Sequence, residues 1–218
     1  MNKKQYIIRR TADAKPDWEP AQSLAVDFFF EHSSAHRPRT TAQVLHDDDQ
    51  LYIRFAVADR YVRAVGKNYQ DPVCQDSCVE FFVQPKPSGP YFNFEVNAGG
   101  CMLLYAIPVS PDGLALMNER QSVPFELFKA MNIQHSLPER IEPEIVESCD
   151  WTLEYNIPFA LFEHYLGPLR PVAGQIWRAN FYKCADETSH PHWGMWSPIT
   201  DGCRFHRPEF FGRLVFES

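Results

Sequence analysis

Period-two alternation recurs in block after block of this chain, and it restricts the fold more than any other feature. Residues 51–59 read LYIRFAVAD, with Leu51, Ile53, Phe55 and Val57 on one side and Tyr52, Arg54, Ala56 and Ala58 on the other. Residues 77–83 set Val79, Phe81 and Val83 against Cys78, Glu80 and Phe82. Residues 91–97 set Phe92, Phe94 and Val96 against Asn93, Glu95 and Asn97. A strand sends successive side chains to opposite faces, so each block owns one apolar face. Shorter blocks at 6–8, 24–30, 40–46, 101–107, 151–157, 176–182 and 213–216 read the same way, and Gly99-Gly100 reads as a hairpin turn. Residues 133–135 and 145–148 read as paired strands leading into 151–157.

Helix signals are few. Pro158 opens a run with Phe159, Phe162 and Leu166 at helical spacing, stopped by Gly167-Pro168, and 125–131 reads as a helical turn. The 18 prolines favour short strands with broken connections. The expectation is an all-β fold, an antiparallel β-sandwich with one or two short helices, as a single domain over residues 1–218.

The polar phase of these strands is richer than a plain solvent face requires. Arg54, Glu80, Asn93, Glu95, Asn97, Glu154, Arg178, Asn180 and Tyr182 are each out of phase with the apolar set of their own strand. Brought side by side, carboxylates accept from hydroxyl pairs while Arg and Asn donate to them, which suits a polyhydroxylated ligand. The bland reading is a solvated face steadied by cross-strand Arg–Glu pairs. Asparagine tips the balance, because it is depleted in strands and Asn93, Asn97 and Asn180 need a local reason.

Residues 176–199, IWRANFYKCADETSHPHWGMWSPI, run from a strand into a loop carrying His190, His192, Trp193 and Trp196. Two tryptophans on one loop are costly in water unless something docks on them, so this segment is expected to wall a ligand site. The link 60–75, holding Tyr61, Tyr69 and Pro72, is expected as a surface loop near that site, and 14–20 as a proline-bounded loop around Trp18.

The net charge of −7 argues against nucleic acid, whose phosphates need a basic surface, and fits a neutral ligand or a cation. No stretch of about 18 apolar residues is present to span a membrane. The start, MNKKQYIIRR, is positive with no apolar run after it, so the expected location is cytoplasmic, or periplasmic or cell-surface if an export signal was trimmed. Cysteines at 74, 78, 101, 149, 184 and 203 form no CxxC pair, and Cys78, Cys101 and Cys184 sit in strands, where a reduced thiol acts as a small hydrophobe.

The blocks LYIRFAVAD (51–59), QDSCVEFFVQP (75–85), YFNFEVNAGG (91–100), WTLEYNIP (151–158) and FGRLVF (211–216) resemble the family 9 carbohydrate-binding modules, a DOMON-like β-sandwich group. The ending WGMWSPI…FHRPEFFG resembles the family-9-like proteins found beside polysaccharide-degrading systems. The resemblance implies a jelly-roll-like β-sandwich that binds saccharides in a cleft without catalysis. It implies an aromatic clamp, for which Trp196 is the match, Trp193 its neighbour and Tyr69 the stand-in for the other arm. It implies polar contacts from Glu80, Asn97 and Asn180, to which the wet-face reading adds Arg54, Glu95, Arg178 and Tyr182, and the aromatic loop His192. It also implies structural calcium, with Asp59 and Asp76 as candidate ligands. The sugar and the oligomeric state are left open.

Three other readings use the same residues. Glu80 and Glu95 would serve as the carboxylate pair of a glycoside hydrolase. His190 and His192, with Cys203 and His206, would bind a transition metal. The aromatic loop would bind a protein partner.

Overall fold

A computed structural model of the chain describes residues 3–12 and 16–217; residues 14–15 of the loop around Trp18 lie outside them. In chain order the strands are β1 (Gln5–Arg10), β2 (Leu24–Val26), β3 (Phe28–Phe29), β4 (Arg39–His46), β5 (Gln50–Asp59), β6 (Val62–Ala64), β7 (Cys78–Gln84) and β8 (Tyr91–Asn97). They continue with β9 (Met102–Ile107), β10 (Gln121–Ser122), β11 (Ile133–His135), β12 (Ile141–Ile145), β13 (Cys149–Pro158), β14 (Ile176–Cys184), β15 (Trp193–Met195) and β16 (Gly212–Phe216). Two short helices, α1 (Phe125–Phe128) and α2 (Phe159–Leu166), complete the set.

The protein is mainly β, and its long sheet curls on itself as in a β-sandwich. One layer runs β10-β9-β8-β7-β14-β16 and the other β4-β5-β13-β11. β1 belongs to both. Its first half pairs with β16 and its last two residues, Arg9 and Arg10, pair with β4. Both of these pairings are parallel, so the sheet is mixed where the sequence suggested an antiparallel one. The parallel strand comes from residues near the N-terminus slotting between the last strand and β4, a long-range choice that alternation does not encode.

The alternation sets the core. Val79, Phe81 and Val83 of β7 and Phe92, Phe94 and Val96 of β8 face Ile53 and Phe55 of β5 and Leu153 and Tyr155 of β13 in one buried cluster. Phe55 meets Phe181 of β14 edge-on at 6.1 Å, and Phe94 lies 6.4 Å from Tyr155. Fully burying each such ring is worth roughly 1.5–3 kcal/mol. The helix expected after Pro158 forms and stops at Gly167, whose φ of 68° suits glycine. Residues 133–135 do pair, but with β13; residues 141–145 pair instead with β6, so the expected partnership of 133–135 with 145–148 does not form.

One departure matters for function. β5 and β13 alternate buried and half-buried residues, as strands with one wet face should. β7 and β8 are buried along both faces. Their outer face is therefore covered, and Phe82, Tyr91 and Tyr182 pack there with Phe205 and Phe211 in a second hydrophobic cluster. Tyr182 stacks on Phe205 at 4.1 Å and donates to its carbonyl at 3.0 Å, tying the loop after β15 down onto β14.

Candidate functional site

Between that loop and the outer face of β7, β8, β9 and β14 lies a cavity of about 580 Å³. Its size is ordinary for a small-molecule site. Register builds its floor. Glu80 of β7 stands opposite Glu95 of β8 and opposite Tyr182 of β14, while Asn93 and Tyr105 are partners across β8 and β9. Both carboxylates are buried, Glu80 at 2% exposure and Glu95 at 5%. Asn93 donates to Glu95 Oε1 at 2.7 Å and accepts from the Tyr105 N–H at 2.8 Å, so the amide holds the carboxylate in place. Cys184 donates to Glu80 Oε1 at 3.0 Å, and Glu80 Oε2 has no partner.

Burial pushes Glu95 up to about 7, against the Asn93 hydrogen bond and with help from Asp186. Burial, and then the neighbouring Glu95, push Glu80 well above the usual carboxylate range. A protonated carboxyl both donates and accepts, as a sugar hydroxyl does.

The walls are aromatic. Trp193 is half-buried at the cavity, its indole N–H donating to Asp186 Oδ1 at 2.7 Å and its ring 4.6 Å from His32. Tyr105 and Arg120 line another side, the guanidinium lying 5.3 Å over the Tyr105 ring. His206 accepts or donates at Tyr91 Oη over 2.7 Å, and burial, with the Arg120 charge, pushes its imidazole down to about 4. Gln70 staples the link 65–75 to β9, pairing both its amide atoms with Leu104.

Of the residues singled out in the sequence, Glu80, Asn93, Glu95 and Trp193 meet in this cavity, with Cys203 and His206 on its loop side. Tyr182 lies beneath it, packed on Phe205. The others do not join them. Trp196, at 4% exposure, is a core residue packed on Phe181, so it has no open face to offer a sugar. Tyr69 stacks on Phe128 at 4.2 Å and donates to the Val123 carbonyl, which turns its ring away from the site. Asn97 ties Gly66, Asp76, Gly99 and Cys101 together, and Asn180 holds Ser197 and the Phe181 N–H. Both asparagines are loop tethers with their polar atoms spent. Arg178 reaches Gln84 and the Pro208 carbonyl. His192 is buried against the Lys183 ammonium at 2.8 Å.

Arg54 and Glu154 lie on the other layer, ion-paired at 3.2 Å, with Trp18 donating to Glu154. Glu154 borders a smaller cavity of about 340 Å³ with Gln50 and Asn156, whose side chains already bond each other at 2.5 Å. The expected single polar surface is thus split between opposite faces, because strand neighbourhood differs from strand phase.

The calcium and histidine sites do not assemble either. Asp59 accepts from His36, Trp151 and the Arg60 N–H and has Lys183 beside it. Asp76 accepts from Val65, Gly66 and Asn97 and pairs with Arg63. Calcium needs six to eight free oxygens, and these two carboxylates are filled by donors and adjoined by cations. His190 stacks on Tyr61 at 3.6 Å, and His206 sits on Tyr91, so the histidines and Cys203 form no cluster among the described residues.

The site also contains features that the sequence did not point to: Asn93's bridging role, Asp186, Arg120, Cys184 as a cavity residue, and His206 as a partner of Tyr91 rather than a metal ligand. Cys184 shares the phase of Tyr182 and Asn93 that of Glu95, so both were legible as outer-face residues; Asp186, Arg120 and His206 arrive from outside the strands.

The profile of carbohydrate-binding family 9 matches residues 13–216. A crystal structure from Bacteroides uniformis ATCC 8492, described as that of a candidate carbohydrate-binding protein, is similar at 27% identity and a TM-score of 0.87, over 99% of this chain and 100% of that one. A family 9 module from Caldicellulosiruptor kristjanssonii in complex with cellotriose has a similar fold at 14% identity and a TM-score of 0.65, over 98% and 94% of the two chains. A family 9 structure from the same organism in complex with glucose gives 14% and 0.63, over 98% and 96%. No functionally curated protein matches the sequence.

Proposed function

The chain belongs to carbohydrate-binding family 9, and from that premise we propose that it binds a saccharide, without cleaving it, in the cavity between β7–β9, β14 and the loop after β15. The observation that carries this reading is the meeting of the Glu80–Glu95 pair with the Trp193 indole in one covered pocket. Protonated, these carboxyls hydrogen-bond sugar hydroxyls in both directions and, ionised, they accept from them, while the indole face packs on the apolar face of a pyranose ring. Arg120 and Asp186 supply further donors and acceptors at the rim. The ligand class is a glucose-containing oligosaccharide, by analogy with the glucose and cellotriose complexes of the similar folds. Work beside polysaccharide-degrading enzymes and a jelly-roll routing of the strands are part of the same proposal, supported by the sequence blocks shared with the family.

The opposed carboxylates invite a hydrolase reading, since retaining glycosidases place theirs about 5–5.5 Å apart. Such an enzyme needs one carboxyl ionised beside one protonated. A nucleophilic carboxylate is kept ionised by cationic donors, and among the described residues neither Glu80 nor Glu95 has a basic side chain at ion-pair distance, Asn93 being the neutral donor to Glu95. Binding fits these groups better than turnover.

The test is a glycan array followed by calorimetry with glucose and cellotriose, with released sugar assayed in parallel. Saturable binding without release supports the proposal. A folded chain that binds no saccharide overturns it, and sugar release moves the reading to a hydrolase.

A further inference from the structure

The floor of the cavity carries a second chemistry. On the outer face of the sheet, Cys78 of β7 and Cys184 of β14 are register partners, and Glu80 follows Cys78 at the next outward position. One ligand atom from each of Cys78, Glu80 and Cys184 lies within 4.8 Å of the others, and all three residues are buried. Glu80 Oε1 takes the Cys184 S–H, while Glu80 Oε2 is buried with no partner. Among the described residues, no basic side chain lies within ion-pair distance of Glu80 or Glu95. Three acidic ligand groups share a buried floor, one oxygen is unused, and among the described residues no cation pairs directly with the Glu80 carboxyl.

We propose that Cys78, Glu80 and Cys184 form a binding site for a borderline-soft divalent metal ion, with zinc as the fitting ion. Two sulfurs and one carboxylate oxygen match the mixed S/O donor set that zinc accepts and that calcium and magnesium do not. A tetrahedral ion with Zn–S near 2.3 Å and Zn–O near 2.0–2.2 Å sets its ligands roughly 3.5 Å apart, within reach of small rotamer adjustments from the observed spacing. Glu80 and Cys184 line the cavity, so the fourth position opens toward it and is left for water or a ligand oxygen. Binding releases the two thiol protons and the Glu80 carboxyl proton to solvent, and leaves both sulfurs as thiolates and Glu80 as a carboxylate. The sulfurs are free thiols, as this requires. The proposal goes beyond saccharide binding and stands on different observations.

The experiment titrates the full chain, chelator-treated and kept reduced, with zinc by calorimetry and with cobalt by absorption spectroscopy. The expected result is one zinc per chain, proton release on binding, and a thiolate-to-cobalt charge-transfer band. Cys78→Ala and Cys184→Ala should each weaken zinc binding by more than about tenfold, and Cys149→Ala, on the other layer, should not. If Cys184→Ala fails to fold, Cys78→Ala and the wild-type cobalt spectrum decide. A folded, reduced chain with no cobalt–thiolate band overturns the proposal, as does wild-type zinc affinity in Cys78→Ala. Glucose and cellotriose calorimetry on the same chelator-treated protein reads the saccharide proposal separately, so either can fail alone.

Discussion

The Trp193 indole N–H donates to Asp186 Oδ1 at 2.7 Å, and this bond fixes the ring at the edge of the cavity. Trp193 and Cys184 are register partners across β14 and β15, so the platform and the cavity floor are held by one short antiparallel ladder. Trp193→Ala should therefore weaken saccharide binding about fivefold or more by calorimetry while leaving the denaturation midpoint close to wild type, since the side chain is half-buried and outside the main core. Stacking of this kind contributes on the order of 1 kcal/mol or more. Asp186→Asn, which keeps an acceptor for the indole, should lose less affinity than Trp193→Ala. Equal affinity in wild type and Trp193→Ala would remove this residue from the site.

Trp196 should behave in the opposite way. It sits 5.7 Å edge-on from Phe181, and a Cβ placed on Gly212 would come within 2.5 Å of its ring. Trp196→Ala should lower stability by about 3–5 kcal/mol in urea unfolding. Gly212→Ala should cost about 1–3 kcal/mol, because the added methyl must push the ring or β16 aside. A Trp196→Ala variant of wild-type stability that fails to bind sugar would show that the ring is a clamp after all.

How far the sequence reads into this molecule follows from what alternation carries. It assigns phase within a strand, so the inward Phe81, Phe94 and Phe181 and the outward Glu80 and Glu95 were legible before any coordinates. It carries no strand order, which is why Arg54 and Glu154 were grouped with groups on the opposite layer. The two tryptophans had a usable signal that was missed. Residues 193–195 form a strand, and two residues three apart on extended chain point to opposite sides, so only one could face the cavity. Asn97 and Asn180 did need a local reason, but the reason was tethering of adjacent loops, and unmet backbone donors in a turn leave no pattern in sequence.

Acid should unfold the protein through a buried group that is not one of the proposed metal ligands. Burial, and then the Lys183 charge, push the His192 imidazole from 6.5 down to about 3, so it stays neutral in the fold. The unfolded chain takes up that proton first, and stability falls as pH drops from 6.5 toward 3, by up to about 1.4 kcal/mol per pH unit for one such group. His206, down to about 4 through burial and then Arg120, acts with the same sign over 6.5 to 4. Asp59 adds a later loss. Its burial is outweighed by Lys183 and His36, its carboxyl is held well below the usual range, and its stabilisation goes as pH falls below the ordinary carboxylate value. Urea midpoints at pH 7, 6, 5 and 4 measure the slope. His192→Gln, which keeps an acceptor for Lys183, should flatten it, and an unchanged slope in that variant would assign the acid sensitivity elsewhere.

Asn97 separates a structural asparagine from a ligand-binding one. Its Nδ2 donates to Asp76 Oδ2 at 2.9 Å and to the Gly66 carbonyl at 3.1 Å, while Oδ1 accepts from Gly99 and Cys101. The side chain thereby joins the β8–β9 turn to the loop that leads into β7. Asn97→Ala orphans two buried N–H groups and should cost on the order of 3 kcal/mol. Asn97→Asp preserves size but sets a second carboxylate against Asp76, so it should destabilise as well and should not rescue. Under conditions where the Asn97→Ala chain is folded, its saccharide affinity should match wild type. Normal stability with lost binding would instead make Asn97 a ligand contact, and would mean that the turn is held by other bonds.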